Sequence, residues 1–293
     1  MDPDLSLLLN GIVSGLLLGG LYAAASAGLA VSFGMLDIVN IAHPALMVAG
    51  AFTVVILGTW LGLDPLLVAV LQAPLYWLLG VGIYGVYHHF FERRGEETLQ
   101  GLAFFFGVMF IVEVGLVMAF GPEQRFLDPP YAFVTWRIGE IDLPLRMLVP
   151  GLLALAAIGA LWLWLRRSFT GLAVAAVAQD PEALRLMAVD PVRIKRIAFG
   201  LSVALAAVAG GALVVVQPID PSSGQIFIGR VFAICIMAGL GSLPGTVAAA
   251  MLFGVVENVT ATFAGPSWSP AVAFGWLLLV LAFRPQGLFG KAA

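Results

Sequence analysis

Charged residues are scarce in this sequence, and this scarcity restricts the class of protein first. Asp, Glu, Lys and Arg make up 11% of the 293 residues, whereas 61% of the residues are hydrophobic and the mean hydropathy is +1.03. A soluble globular domain carries roughly 25% charged residues, because its surface faces water. The composition therefore predicts an all-α, polytopic integral membrane protein and excludes a soluble domain.

Cysteine and nucleotide-binding motifs are nearly absent as well. The single cysteine, Cys235, lies in an apolar run, so it cannot form an intrachain disulfide and is expected to be a small packing residue. The Gly290-Lys291 pair is followed by Ala and has no upstream Gly at the Walker A spacing, so no phosphate cradle is expected. If this chain moves a solute actively, the energy must come from a partner or from an ion gradient.

Long uncharged runs are what the sequence has in abundance. They recur from Leu5–Leu36 to Ala271–Phe283, and most are long enough to cross about 30 Å of hydrocarbon. We expect about eight transmembrane helices within one transmembrane domain covering residues 1–293. The glycines at four-residue spacing in the first run are expected to allow close helix contacts. The first run follows Met1-Asp2-Pro3-Asp4, which lacks the positive region of a signal peptide, so this run is expected to stay in the protein.

Lys and Arg are unevenly distributed along the chain, and this distribution predicts the orientation. Most of them fall at Arg93-Arg94, in the segment Arg166–Arg196, at Arg284 and at Lys291, which we assign to the cytoplasm because short cytoplasmic loops are rich in Lys and Arg. The N-terminus is then outside and the C-terminus cytoplasmic. The outside receives the polar loop Gly121–Arg146, and the cations assigned to that side are Arg125, Arg137, Arg146 and Arg230.

The segment Arg166–Arg196, here called the basic loop, separates two nearly charge-free runs. In it, Asp180-Pro181-Glu182 predicts a helix start with Asp180 as N-cap, and Asp190-Pro191 predicts a second one. Leu184, Met187 and Ala188 then fall on one helix face. The pattern predicts a short capped helix that presents a small apolar surface in a basic surrounding, a shape suited to docking.

Several stretches of the chain resemble the permeases of branched-chain amino acid ATP-binding cassette transporters, of the high-affinity importer type. The stretches are the start of the basic loop (Arg166-Arg167-Ser168, then Gly171–Met187), Gly20–Gly34, Asn40–Ala51, Ala238–Gly245 and Arg284–Gly290. Three positions depart from the family pattern, because Pro44, Ala188 and Ala238 stand where the family usually has Gly.

The resemblance implies a permease subunit of an importer in the cell inner membrane, and it implies no enzyme. The implied partners are a homologous second permease subunit, two cytoplasmic ATPase subunits that bind and hydrolyse the ATP, and an external solute-binding protein. The implied substrate is a branched-chain or other hydrophobic amino acid, or a related small amide or organic acid. The chain itself is expected to hold no cofactor, no metal and no nucleic acid.

Two sets of site residues follow from the resemblance. It implies that the basic loop couples the permease to an ATPase subunit, through Gly171, Asp180, Pro181, Glu182, Leu184, Arg185 and Met187. We expect a substrate path lined by small and sparsely polar residues, namely Asn40, Ala42, His43, Gly239, Ser242 and Glu257.

Two other classes of protein fit smaller parts of the sequence. Glu113 and Glu257 lie within apolar runs, and isolated intramembrane acids are also found in ion-coupled secondary transporters of small organic solutes. An intramembrane metalloenzyme would rest on His88, His89 and Glu92, of which His88 and Glu92 are four residues apart and share a helix face. Two ligands at one membrane edge make a poor metal site, and interfacial anchoring explains these residues better.

Overall fold

The computed structural model describes residues 3–94, 97–239 and 241–290, and helices dominate these residues. A two-stranded antiparallel hairpin, β1 (Thr135–Ile138) and β2 (Ile141–Pro144), lies in the loop before α6. The α-helices are α1 (Pro3–Gly34), α2 (His43–Leu61), α3 (Pro65–Leu71), α4 (Ala73–Phe90), α5 (Glu97–Phe120), α6 (Leu145–Arg167), α7 (Phe169–Val177), α8 (Pro181–Leu186), α9 (Pro191–Val216), α10 (Ser223–Ala238), α11 (Leu243–Ala264) and α12 (Ser269–Phe283).

Six of the described helices are long and apolar enough to cross a membrane: α1, α2, α5, α6, α9 and α11. The pair α3 and α4 makes a seventh if it is counted as one span, while α10 and α12 are shorter apolar helices that bring the described apolar segments to nine. Eight helices were expected, but termini on opposite sides of a membrane require an odd number of crossings. The prediction of an all-α polytopic membrane protein is thus confirmed. The apolar run of α3 and α4 bends by 40° beside Gln72, because Pro74 cannot donate the backbone hydrogen bond that would continue α3.

Helix α9 lies at the centre of the bundle, and 89% of its apolar stretch is buried. Its closest neighbour is α2, which crosses it at two glycines. A Cβ added at Gly210 would lie 1.9 Å from the Met47 carbonyl oxygen, and one added at Gly50 would lie 2.5 Å from Ala207 Cα. Only glycine permits this approach, because small residues let helix backbones touch in a membrane protein.

Helix α1 packs antiparallel to α11 along a second small-residue contact. Gly15 faces Val255 and Gly19 faces Met251, and a Cβ at either glycine would come within 2.6 Å of the facing Cα. The sequence pattern of glycines at four-residue spacing in the first span predicted such contacts, and the structure confirms them at these two positions.

The described helices run between two ends. At the hairpin end, the Asn10 side chain donates to the Glu140 carbonyl oxygen (3.0 Å) and accepts from Asp142 N (2.8 Å), while Arg125 and Ile219 exchange two backbone hydrogen bonds. At the basic end, α9 begins in the basic loop beside Glu92. The loop that follows Gly121 therefore lies opposite the basic loop, as predicted, although it ends at Pro144 and Arg146 belongs to α6.

Arg230, which was assigned to the outer side, lies within α10, because this helix already begins at Ser223. Its guanidinium is held by a carboxylate of the neighbouring helix α11, which makes its burial tolerable. Lys291, which was assigned to the cytoplasm, lies outside the described residues.

Candidate functional site

The basic loop folds into two short helices and the first turn of α9. Ser168 Oγ accepts a hydrogen bond from Gly171 N (2.9 Å), which caps α7. Asp180 Oδ1 accepts from Glu182 N (2.9 Å) and Ala183 N (3.0 Å), which caps α8. The side chain of Asp190 accepts from Val192 N (2.9 Å) at the start of α9. The two helix starts predicted at Asp180 and Asp190 are therefore confirmed, each with Pro in the first turn.

Gly171 holds α7 against the end of α6. A Cβ added at this residue would lie 2.3 Å from the Trp164 carbonyl oxygen and 2.5 Å from Leu165 Cα. Gly171 therefore sets how tightly the basic loop folds back on the preceding span. Its assignment to ATPase coupling stays a prediction.

The apolar surface of the basic loop differs from the predicted one. Leu184 is only 6% exposed because it packs into this chain's own core, so the prediction that it belongs to the presented apolar surface is wrong. Helix α8 ends at Leu186, before the predicted face could extend to Met187 and Ala188. The most exposed apolar side chains of the basic loop are instead Leu186 (90%) and Met187 (76%), which lie at the exit from α8, while Phe169 (74%) and Leu172 (56%) are exposed on α7.

Ala188 terminates this turn in a left-handed conformation, with φ of +59°. Its N–H donates to the Arg185 carbonyl oxygen (3.0 Å), and the N–H of Val189 donates to that of Leu184 (3.1 Å). This conformation costs a residue with a Cβ on the order of 1 to 2 kcal/mol, which glycine avoids. The departure from Gly at this position thus falls where the backbone favours glycine.

Glu92 ties the end of α4 to the start of α9 beside the basic loop. Lys195 Nζ lies 2.6 Å from Glu92 Oε1, and Oε2 accepts hydrogen bonds from His88 Nδ1 (2.6 Å) and Tyr84 Oη (2.7 Å). Burial disfavours the charged carboxylate, but the hydrogen bonds from Lys195 and Tyr84 outweigh it, so the pKa of Glu92 is lowered. Among the described residues, no group of three or more His, Cys, Asp or Glu could hold a metal ion.

A cavity of about 550 Å³ separates this cluster from α8. Arg93, Arg185 and Lys195 line it together with Glu92, so its wall carries more positive than negative charge. Arg185, one of the predicted coupling residues, therefore faces the cluster that joins α4 and α9.

Three of the predicted path residues are fully buried at the contact between α1 and α2. Asn40, Ala42 and His43 each have 0% exposure. His43 Nε2 donates a hydrogen bond across helices to the Ala25 carbonyl oxygen (2.9 Å). In this conformation, these residues face packed helices and not an open cavity. Their place in the path stays a prediction.

Gly239 and Ser242 line a cavity of about 1040 Å³ at the basic end, with Phe33, Trp162, Arg166 and Gln286. Residues 284–290, here called the C-terminal clasp, close this cavity against the end of α10. Leu288 N donates to the Met237 carbonyl oxygen (2.8 Å), and Phe289 N donates to that of Ala238 (3.1 Å), so the clasp satisfies carbonyls that a helix end leaves free. Gly239 has φ of +87°, and a Cβ there would lie 2.5 Å from Gly290 N.

Glu257, the last predicted path residue, forms an ion pair between α10 and α11. Its Oε1 lies 2.7 Å from Arg230 Nη2, and the two side chains are 8% and 18% exposed. The Arg230 guanidinium also lies over the rings of Tyr22 (5.8 Å) and Phe227 (5.6 Å). The geometry gives Glu257 a role in joining helices. The sequence offered no basic partner within the span of Glu257 itself, because Arg230 belongs to the neighbouring helix.

The other intramembrane acid, Glu113 of α5, has a partner that sequence reasoning missed. The Gln225 amide of α10 donates to both carboxylate oxygens of Glu113, at 2.9 and 3.0 Å. A possible signal was the position of Gln225, which is a polar residue directly after a turn cluster and before an apolar run.

Comparison with known proteins places these features in a family context. Residues 11–281 match the family described as branched-chain amino acid transport system / permease component. The chain is 26% identical to the high-affinity branched-chain amino acid transport system permease protein BraD of Pseudomonas aeruginosa, over 99% of this chain and 98% of that one. It is 24% identical to the permease protein LivH of Escherichia coli (strain K12), over the same shares.

A second kind of relative matches a shorter stretch. The chain is 32% identical to the high-affinity branched-chain amino acid transport system permease protein LivM of Salmonella typhimurium, over 40% of this chain and 28% of that one. No solved structure matches the chain.

Proposed function

The chain belongs to the branched-chain amino acid transport system permease family, and we propose that it is the permease subunit of an ATP-binding cassette importer for branched-chain or other hydrophobic amino acids. The observation that carries this proposal is the family match over residues 11–281, on a chain whose described helices include six of membrane-spanning length. The named function of the relatives BraD and LivH supplies the substrate class.

A homologous second permease is proposed to complete the membrane unit. The relatives include both LivH and LivM, two permease proteins whose names refer to the same kind of transport system. The remaining proposed components are two ATPase subunits, which bind and hydrolyse ATP, and an external solute-binding protein. In this proposal the chain holds no cofactor and performs no covalent chemistry.

The proposed docking surface for an ATPase subunit is the exit of α8. Leu186 and Met187 are exposed there, and fully covering two such side chains contributes on the order of 1.5 to 3 kcal/mol each. Arg185 precedes them, and the capping of α8 by Asp180 fixes their position. Because α8 is capped, its backbone is held in place, and the exposed side chains of Leu186 and Met187 form a rigid apolar surface within a polar loop.

Two neighbouring helices can transmit a movement of α8 to the membrane spans. One is α7, which Gly171 holds against α6, and the other is α9, which Glu92 joins to α4 through Lys195. ATP-driven closure of the ATPase subunits would thereby rock several spans at once. This motion would switch the translocation path between outward-facing and inward-facing forms.

We further propose that the importer lies in the cell inner membrane. The basic end then faces the cytoplasm, and the N-terminus is outside. The Lys and Arg residues of the basic loop favour this orientation. Gln179→Cys in the basic loop and Thr135→Cys in the hairpin should then react with an impermeant thiol reagent from opposite sides of the membrane. Labelling of both from the outside of intact cells would refute the orientation.

The test of function uses the whole importer reconstituted in vesicles. ATP should drive uptake of radiolabelled leucine, and Leu186→Asp should abolish both uptake and co-purification of the ATPase subunit, because it places an unpaired charge in the contact. The matched control is Ile138→Asp, an exposed apolar residue (63%) at the hairpin end, which should keep the ATPase subunit bound. Uptake that needs an ion gradient and no ATP would support an ion-coupled transporter instead.

A further inference from the structure

An acid and an amide meet on an otherwise apolar outer surface of this chain, at membrane depth. Glu113 is half-buried and Gln225 is exposed, and the amide hydrogen-bonds to both carboxylate oxygens. Glu113 lies seven residues before α5 ends at Phe120, which is roughly 10 Å along the helix axis at 1.5 Å per residue. A Glu side chain is too short to reach the interface across two helical turns.

The surroundings of this pair would be unfavourable if they faced lipid. The exposed side chains near the pair on these two helices are apolar, including Phe110, Ile111 and Ile226. Ionisable residues inside a membrane almost always face the interior of a bundle or a water-filled cavity. Glu257 follows this rule through its pair with Arg230, whereas no ion pair forms at Glu113 among the residues that the structure describes.

Helix α5 also leaves most of its surface uncovered. Only 11% of its apolar stretch is buried, against 89% for α9. In the membrane, the uncovered surface of α5 must contact lipid, water or another protein. Lipid chains alone cannot surround it, because a carboxylate and a carboxamide lie on this surface.

We propose that the α5–α10 face around Glu113 and Gln225 borders the water-filled translocation path, opposite the second permease subunit, and that the Glu113 carboxylate binds the ammonium group of the amino acid in transit. This inference rests on the proposed function, which supplies a zwitterionic substrate. Gln225 holds both carboxylate oxygens in place, and an incoming ammonium group supplies the positive charge that Glu113 lacks.

The first experiment measures transport and ATP hydrolysis by the complete importer carrying Glu113→Gln, which keeps the shape of the side chain but removes its charge. Leucine uptake should fall at least tenfold, while ATP hydrolysis stimulated by the loaded solute-binding protein stays within twofold of wild type. Glu113→Asp should restore part of the uptake. The matched control is Glu123→Gln, at an exposed loop acid near Arg125, and it should transport normally.

Wild-type importer that transports leucine together with unchanged transport by Glu113→Gln would overturn the inference but leave the proposed function intact. Failure of the wild-type importer to transport any hydrophobic amino acid would instead overturn the proposed function. A joint loss of transport and ATP hydrolysis in Glu113→Gln would assign Glu113 a structural role and also refute the inference.

The second experiment tests water access without changing Glu113. The single native cysteine is 2% exposed, so an introduced thiol can be labelled selectively. In the assembled importer, Gln225→Cys should react with a charged, water-soluble thiol reagent, whereas Leu278→Cys on the apolar helix α12 should not. Equal and slow labelling of both positions would show that Gln225 faces lipid, and it would refute the proposal that this face borders a water-filled path.

Discussion

The ion pair between Arg230 and Glu257 allows a quantitative prediction about the stability of this fold. Both side chains are largely buried, and the guanidinium lies 2.7 Å from the carboxylate. Glu257→Gln would leave the Arg230 charge buried without its counter-charge. Breaking a buried pair by removing one partner costs about 3 to 5 kcal/mol. The free energy of unfolding should fall by this amount, and the contact between α10 and α11 should loosen first.

A double variant separates the charge effect from the loss of packing. Replacing both partners by apolar residues of similar size, Arg230→Met with Glu257→Leu, should cost less than Glu257→Gln alone, because neither variant side chain carries a buried charge. Unfolding of the purified chain in mixed detergent micelles with increasing denaturing detergent can be followed by the fluorescence of the tryptophans. If the double variant is less stable than the single one, or if the single variant loses under 1 kcal/mol, the reasoning about this pair is wrong.

Three further predictions concern other parts of the molecule. Ala188→Gly should raise the free energy of unfolding by about 1 kcal/mol, measured in the same assay, because φ of +59° suits glycine. Gly210→Ala should destabilise by about 3 kcal/mol because its Cβ would meet the Met47 carbonyl oxygen, whereas Gly159→Ala, with open space around its Cβ, should be neutral or slightly stabilising. The pKa of Glu92 is lowered in the folded state, so its contribution to stability is present above its unfolded pKa, near 4.3, and is lost as pH falls through its folded pKa. Glu92→Gln should remove this part of the pH dependence of unfolding.

Features that depend on neighbouring residues in the sequence could be predicted well. The N-caps at Asp180 and Asp190 join a side chain to N–H groups two or three residues later, so the local sequence determines them. The glycine spacing in the first span likewise predicted a close helix contact. Neither prediction required knowledge of which helix lay opposite.

Features that depend on distant residues could not be read from the sequence. Leu184 and Leu186 are both leucines in one short helix, yet the first is buried and the second is 90% exposed, because helix packing decides which face is covered. The ion pair between Arg230 and Glu257 could not be predicted, because the two residues are 27 positions apart and lie on different helices. The contact between Gln225 and Glu113 could not be predicted either, because the two residues are 112 positions apart in the sequence.

The C-terminal clasp has a consequence for how this protein is made. The carbonyl groups of Met237 and Ala238 receive their hydrogen bonds from Leu288 and Phe289, which the ribosome adds only after α11 and α12 have been synthesised. Protein synthesis adds about 5 to 20 residues per second, so the carbonyl groups at the end of α10 lack these hydrogen bonds for several seconds. The large cavity at the basic end can therefore take its final form only late in biosynthesis, after most of the spans have entered the membrane.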